Sequence, residues 1–151
     1  MDLIPQLEDA SIDCCITDPP YGIAYQSSRR IDKQKRHPKI LNDEAPFTEW
    51  IKPLFKKMKE QGRVISFYRW DVQEVFLDAF LDAGFTVKSQ IVWDKIAHGM
   101  GDLEGEFAPQ HELMFYATKG RYKFKSKRPK TVYRCPRIPG EILRHPNEKT
   151  H

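Results

Sequence analysis

Thr17-Asp18-Pro19-Pro20-Tyr21-Gly22 is the stretch on which the reading of this 151-residue chain turns. It follows an apolar run, Ile12-Asp13-Cys14-Cys15-Ile16, that predicts a short buried strand. These residues therefore stand where a strand ends and a loop begins, the place where open α/β sheets put ligand chemistry. Pro19 and Pro20 carry no N–H, and an ionised Asp18 side chain has none to give, so these groups can only accept hydrogen bonds. Tyr21 adds a flat aromatic face. Acceptors beside a stacking ring suit a planar ligand that presents an NH2 group, and a nucleobase is the obvious candidate.

Outward from this stretch, the chain reads as an alternation of strands and amphipathic helices. Phe47, Trp50, Ile51, Leu54, Phe55 and Met58 fall on one helical face, with Lys52, Lys56, Lys57 and Lys59 mostly on the other, and Gly62 is expected to end that helix. A strand follows over 63–68. Asp71 is then expected to cap a second helix whose face is Val72, Val75, Phe76, Ala79, Phe80 and Ala83, closed by Gly84. Strands over 86–94 and 111–118 complete the series. The order predicts an α/β sheet, mostly parallel, with an antiparallel strand late in the chain and helices flanking it.

Composition sets the outer bounds. The length suits one domain, and 25 Lys+Arg against 21 Asp+Glu leave a net charge of +4, mildly basic and compatible with a nucleic-acid partner. Cys14 and Cys15 are neighbours on a strand and Cys135 stands apart, so no disulfide framework is expected and a reducing cytoplasm fits. No spacing suits a metal. The start, Met1-Asp2-Leu3-Ile4-Pro5, lacks the basic and apolar regions of a signal peptide, and no stretch is long and apolar enough to span a membrane.

Two segments are strongly basic. Residues 22–46 carry Arg29, Arg30, Lys33, Lys35, Arg36 and Lys39 with little apolar periodicity, and so long a loop directly after the tetrad reads as a lid over DNA. Residues 119–137 alternate Arg121, Lys123, Lys125, Lys127 and Arg128 with Tyr122 and Phe124, without an acid among them. Charge at alternating positions of an extended segment suits phosphates.

The tetrad Asp18-Pro19-Pro20-Tyr21 resembles the signature of DNA amino-methyltransferases, which methylate an exocyclic amino nitrogen from S-adenosylmethionine. Ile91-Val92-Trp93-Asp94-Lys95, Gly99-Met100-Gly101 and His111-Glu112-Leu113-Met114-Phe115-Tyr116-Ala117-Thr118-Lys119-Gly120 look like later motifs of the β group, in which the catalytic tetrad precedes the cofactor-binding glycines. The tail His145-Pro146-Asn147-Glu148-Lys149 looks like the motif just before the glycine loop, although Thr150 stands where the family favours proline.

The resemblance covers nearly the whole chain, and it implies a partial Rossmann-like methyltransferase sheet. It implies that Asp18, Pro19, Pro20 and Tyr21 are catalytic. The Asp18 carboxylate and the Pro19 carbonyl would grip the two N–H bonds of the amino group, and Tyr21 would hold a base flipped out of double-stranded DNA. Asp18, His145, Pro146, Glu148 and Lys149 would line the cofactor pocket. Arg29, Arg30, Lys33, Arg121, Lys123, Lys125, Lys127 and Arg128 would contact DNA, with 119–144 a short target-recognition segment. Asp at the first tetrad position favours adenine N6 over cytosine N4. A catalytically silent DNA-binding remnant, one half of a split enzyme, and RNA or protein methylation are the competing readings.

The family's glycine-rich cofactor loop is not found in this chain. Gly99, Gly101 and Gly105 lie in a polar loop without the strand-to-helix context of one. The family's catalytic strand is central, paired with the strand leading to that loop. Residues 12–17 are therefore expected to form an exposed sheet edge that pairs with a second copy or a complementing chain.

Overall fold

The computed structural model describes residues 3–22, 45–99 and 103–136. These form β1 (Ile12–Thr17), α1 (Ile51–Lys57), β2 (Met58–Tyr68), α2 (Gln73–Asp82), β3 (Thr86–Asp94), β4 (His111–Thr118) and β5 (Val132–Arg134). The five strands make one sheet in the order β1-β2-β4-β3-β5. β1 runs parallel to β2, and β3 parallel to β5, while β4 lies antiparallel between β2 and β3. Four strands therefore point one way and β4 the other, which is the mostly parallel sheet with a late antiparallel strand that the alternation predicted.

Both helices cover one face. The side chains of a strand alternate between faces, so Val64, Ser66 and Tyr68 of β2 share a face with Phe115 and Ala117 of β4. Onto that face α1 brings Ile51 and Leu54, and α2 brings Phe76 and Phe80, all buried. The rings interlock: Trp50 and Phe80 meet edge-on at 5.9 Å, Phe80 and Phe85 at 5.6 Å, and Tyr68 stacks on Phe115 at 4.0 Å. Each fully buried side chain of this size stabilises the fold by about 1.5–3 kcal/mol relative to exposure.

Three local expectations are corrected. The first helix is a short one that ends at Lys57, and β2 begins at Met58, so Gly62 lies inside a strand rather than closing a helix. A tertiary contact meets the chain at this junction. Lys119, read in sequence as part of the basic segment, is half-buried and turns inward. Its ammonium donates to the carbonyls of Phe55 and Met58 at 3.1 Å each and sits 4.7 Å from the Phe55 ring centre, which ties off the last turn of α1. Lys119→Met keeps the apolar stem but leaves both carbonyls without this donor. It is expected to cost about 1–3 kcal/mol, read as a fall in Tm of roughly 5 °C by calorimetry; an unchanged Tm would show that water replaces the ammonium without penalty.

The second correction concerns Asp71, which does not cap α2. Its carboxylate takes both Nε and Nη2 of Arg69, and a 3-10 turn over Trp70–Val72 leads into the helix. Gly84, with φ at +100°, does follow the helix as expected. Third, β1 is not a buried strand. Cys15 packs against the core, but Cys14 is exposed and Ile16 is 69% exposed. β1 stands at one end of the strand order and pairs only with β2 among the described residues. β5, over Val132–Arg134, was not anticipated; its three residues have no apolar alternation to announce a strand.

Candidate active site

The carboxyl ends of β1, β2, β3 and β5 and the start of β4 share one edge of the sheet, the edge where such sheets bind ligands. Asp18 to Tyr21 leave β1 there. Arg69 to Asp71 leave β2, Asp94 and Lys95 leave β3, and His111 and Glu112 open β4.

The tetrad is braced by backbone. Pro19 is buried, and the Pro20 carbonyl accepts from the Phe47 N–H at 3.0 Å. Tyr21 bridges Pro46 in antiparallel fashion. Gly22 has φ at +80°, and a Cβ there would stand 2.5 Å from the Ala45 carbonyl carbon, so the close approach requires glycine. Asp18 is exposed, and its Oδ1 accepts the Tyr21 phenol proton. The half-buried Tyr21 ring meets Phe76 edge-on at 6.4 Å. Burial, then the Asp18 carboxylate, hold the phenol far above its ordinary pKa, with Glu112 adding to the effect, so it remains a proton donor at any working pH.

Next to the tetrad stands a pair to which sequence reasoning gave no role. The Lys95 ammonium, 5% exposed, lies 3.4 Å from Glu112 Oε1. Both residues belong to quoted motifs, but only the pairing of the β3 end with the β4 start joins them. Further along the edge the Asp94 carboxyl lies below its usual range. The Gln110 amide does most of this, followed by the Ile96 N–H, with Arg134 and His111 contributing. Arg134 Nε approaches Asp94 Oδ2 at 3.3 Å, and the Trp93 indole donates to the Cys135 carbonyl at 2.8 Å.

The basic residues divide. Arg121, Lys123, Lys125, Lys127 and Arg128 are all exposed. They follow β4 at the edge opposite the tetrad, because β4 runs against its neighbours, and their segment returns across the face that lacks the helices. There Tyr122 lies under the Arg63 guanidinium at 4.3 Å and Phe124 stacks on Tyr116 at 6.0 Å. The fold thus does not bring Arg121 or Lys123 to Asp18. Arg29, Arg30, Lys33, His145, Pro146, Glu148 and Lys149 lie outside the described residues, as does Gly101. No helix among the described residues is long and apolar enough to cross a membrane.

A family model described as DNA methylase matches residues 12–149. The putative methylase YubD of Escherichia coli (strain K12) is 29% identical over 115 residues, covering 74% of this chain and 45% of that protein. The type II methyltransferase M1.MboII of Moraxella bovis is 25% identical over 150 residues, covering 98% and 53%. The chain spans about half the length of the curated relatives it matches. Among solved structures, the M1.HpyAVI–SAM complex superposes with a TM-score of 0.61 at 20% identity, covering 93% of this chain and 60% of that one. The cytosine-N4-specific PvuII DNA methyltransferase gives 0.64 at 14% identity, covering 91% and 55%. These likenesses show a methyltransferase fold.

Proposed function

Because the chain belongs to the DNA methylase family whose model spans residues 12–149, we propose that it is the catalytic and target-recognition part of an S-adenosylmethionine-dependent DNA methyltransferase acting on adenine N6 of a flipped base. The observation that carries this reading is the exposed Asp18 carboxylate at the ligand-binding edge, fixed by Tyr21 within a strand-end turn made of acceptors. The amino lone pair of adenine is delocalised into the ring and is a poor nucleophile. Asp18 and the Pro19 carbonyl take its two N–H bonds, draw the nitrogen toward tetrahedral geometry and free the lone pair. Tyr21 holds the extruded base, and its phenol keeps the carboxylate aimed. S-adenosylmethionine, when bound, supplies an electrophilic methyl group on a sulfonium, and an exposed carboxylate is a fitting neighbour for that cation. His145, Pro146, Glu148 and Lys149 are the proposed lining of its methionine end. Adenine is preferred to cytosine because Asp leads the tetrad.

Double-stranded DNA is the proposed partner, in a reducing cytoplasm where the free thiols of Cys14, Cys15 and Cys135 persist. Transfer of a labelled methyl group, with duplex DNA and RNA offered separately, tests the reading. Label in DNA, recovered as N6-methyladenine, supports it. Label in RNA, or recovery as N4-methylcytosine, overturns the substrate assignment, and DNA binding without any transfer would favour the silent remnant.

The exposed lysines give a separate handle on the phosphates. Lys123, Lys125 and Lys127 together replaced by Ala are expected to weaken binding to every DNA sequence and to flatten the salt dependence by a slope of roughly two to three. An unchanged slope in a fluorescence-anisotropy titration would take this segment off the phosphate path.

A further inference from the structure

The chain has three tryptophans. Trp50 and Trp93 are buried, at 7% and 8% exposure, and each indole N–H donates to a backbone carbonyl. Trp70 is 75% exposed. A single exposed apolar side chain needs no explanation, but three features set this one apart.

The first is its position. Trp70 stands just beyond β2, the strand paired with β1, and Thr17 is opposite Ser66. The indole therefore leaves the same edge as Asp18, from the adjacent strand. Next along that edge, the segment entering β4 carries Phe107, fully exposed, and Leu103, 81% exposed.

The second is the rigidity of its support. The 3-10 turn Trp70–Val72 is closed by the Val72 N–H to the Arg69 carbonyl at 3.1 Å, and the two-pronged Arg69–Asp71 ion pair spans the tryptophan. A large ring presented on a fixed backbone loses little entropy on contact. The third is the charge around it. Arg69 is matched by Asp71, and Glu104 and Glu106 flank the approach to Phe107, so the described residues around the two rings carry no excess of positive charge. This stretch of edge suits the aromatic part of a nucleotide.

We propose that the Trp70 indole is the stacking platform for an unpaired DNA base beside the acceptor site, with Phe107 as a second apolar contact. This rests on the DNA reading above and adds to it a residue that replaces stacking lost when a base is extruded. Base–aromatic stacking tolerates any sequence, because every base has a π-face.

The experiment needs no target sequence, and the buried environments of Trp50 and Trp93 make acrylamide quenching report mainly on Trp70. The full chain is titrated with a fluorescein-labelled thymidine oligonucleotide at low salt. Anisotropy follows binding, and tryptophan emission from a parallel titration with unlabelled oligonucleotide follows stacking. DNA is expected to quench the accessible emission and shield it from acrylamide. Trp70→Phe should bind within a few fold of wild type with that signal gone, and Trp70→Ala should bind about tenfold more weakly, its fold confirmed by circular dichroism.

Wild-type binding by the Ala variant would overturn the proposal, and so would a Trp70 that stays open to acrylamide in the complex. Emission that acrylamide cannot reach in the free protein would overturn it too, since the ring would then be covered by something else. Each of these outcomes spares the DNA reading; no rise in anisotropy with any DNA would overturn both.

Discussion

Asp18→Ala is expected to reduce methyl transfer by at least about a hundredfold, the scale on which loss of one positioned hydrogen-bonding group acts in a catalytic site, while DNA affinity stays within a few fold. Asp18 is exposed, and the side chain that its loss sets free is a phenol, so the fold has little to lose. Of the residues proposed to contact phosphates, Arg121 and Lys123 follow β4 at the edge opposite Asp18, so their contacts do not depend on its carboxylate. The measurement is transfer of labelled methyl by whichever form is active, the chain alone or with a complementing chain. Near-normal turnover by the Ala variant would mean that Asp18 does not accept the amino protons. Tyr21→Phe provides the control: it removes only the phenol that holds the carboxylate, so it should lower turnover far less than Asp18→Ala.

Sedimentation at micromolar concentration is expected to show a species of at least twice the chain's mass, or a stable complex with a chain that adds strands beside β1. The motive is the free side of this strand. Its side chains include an exposed Cys14 and a largely exposed Ile16, and among the described residues no strand pairs with its outer side. Beyond the register shift between Ile12 and Cys14, this edge carries one acid, Asp13, and no proline, so it has few of the devices that usually blunt such a strand. Asp13 is itself engaged by Lys59 at 2.8 Å, which removes part of the repulsion that would otherwise guard the edge. Ile16→Lys would restore a guard, and it is expected to shift the species toward monomer without unfolding the sheet. A wild-type chain that sediments as a clean monomer would refute the association.

What the sequence by itself determined was local and periodic. The apolar runs within 86–94 and 111–118, the second bounded by Gly120, predicted β3 and β4 to the residue, because such runs favour buried strands whatever their partners. The stripes around Leu54 and Phe80 marked the two helices for the same reason. The tetrad was legible because Asp, two prolines and an aromatic ring at a strand end carry their chemistry in their side chains and missing N–H groups.

Tertiary structure alone decided what depends on partners distant in sequence. Lys119 reads as one basic residue among many until β4 delivers its ammonium to the carbonyls of Phe55 and Met58, where α1 ends and β2 begins. Lys95 and Glu112 became a pair only when β3 met β4, and Asp71 turned to Arg69 instead of capping a helix. The reversed direction of β4 sent Arg121 and Lys123 to the edge opposite Asp18, a placement that the alternation of charge in their segment does not specify. Burial of Ile16 was likewise misread, since apolar character shows that a residue can be covered, and only the packed sheet shows whether something covers it.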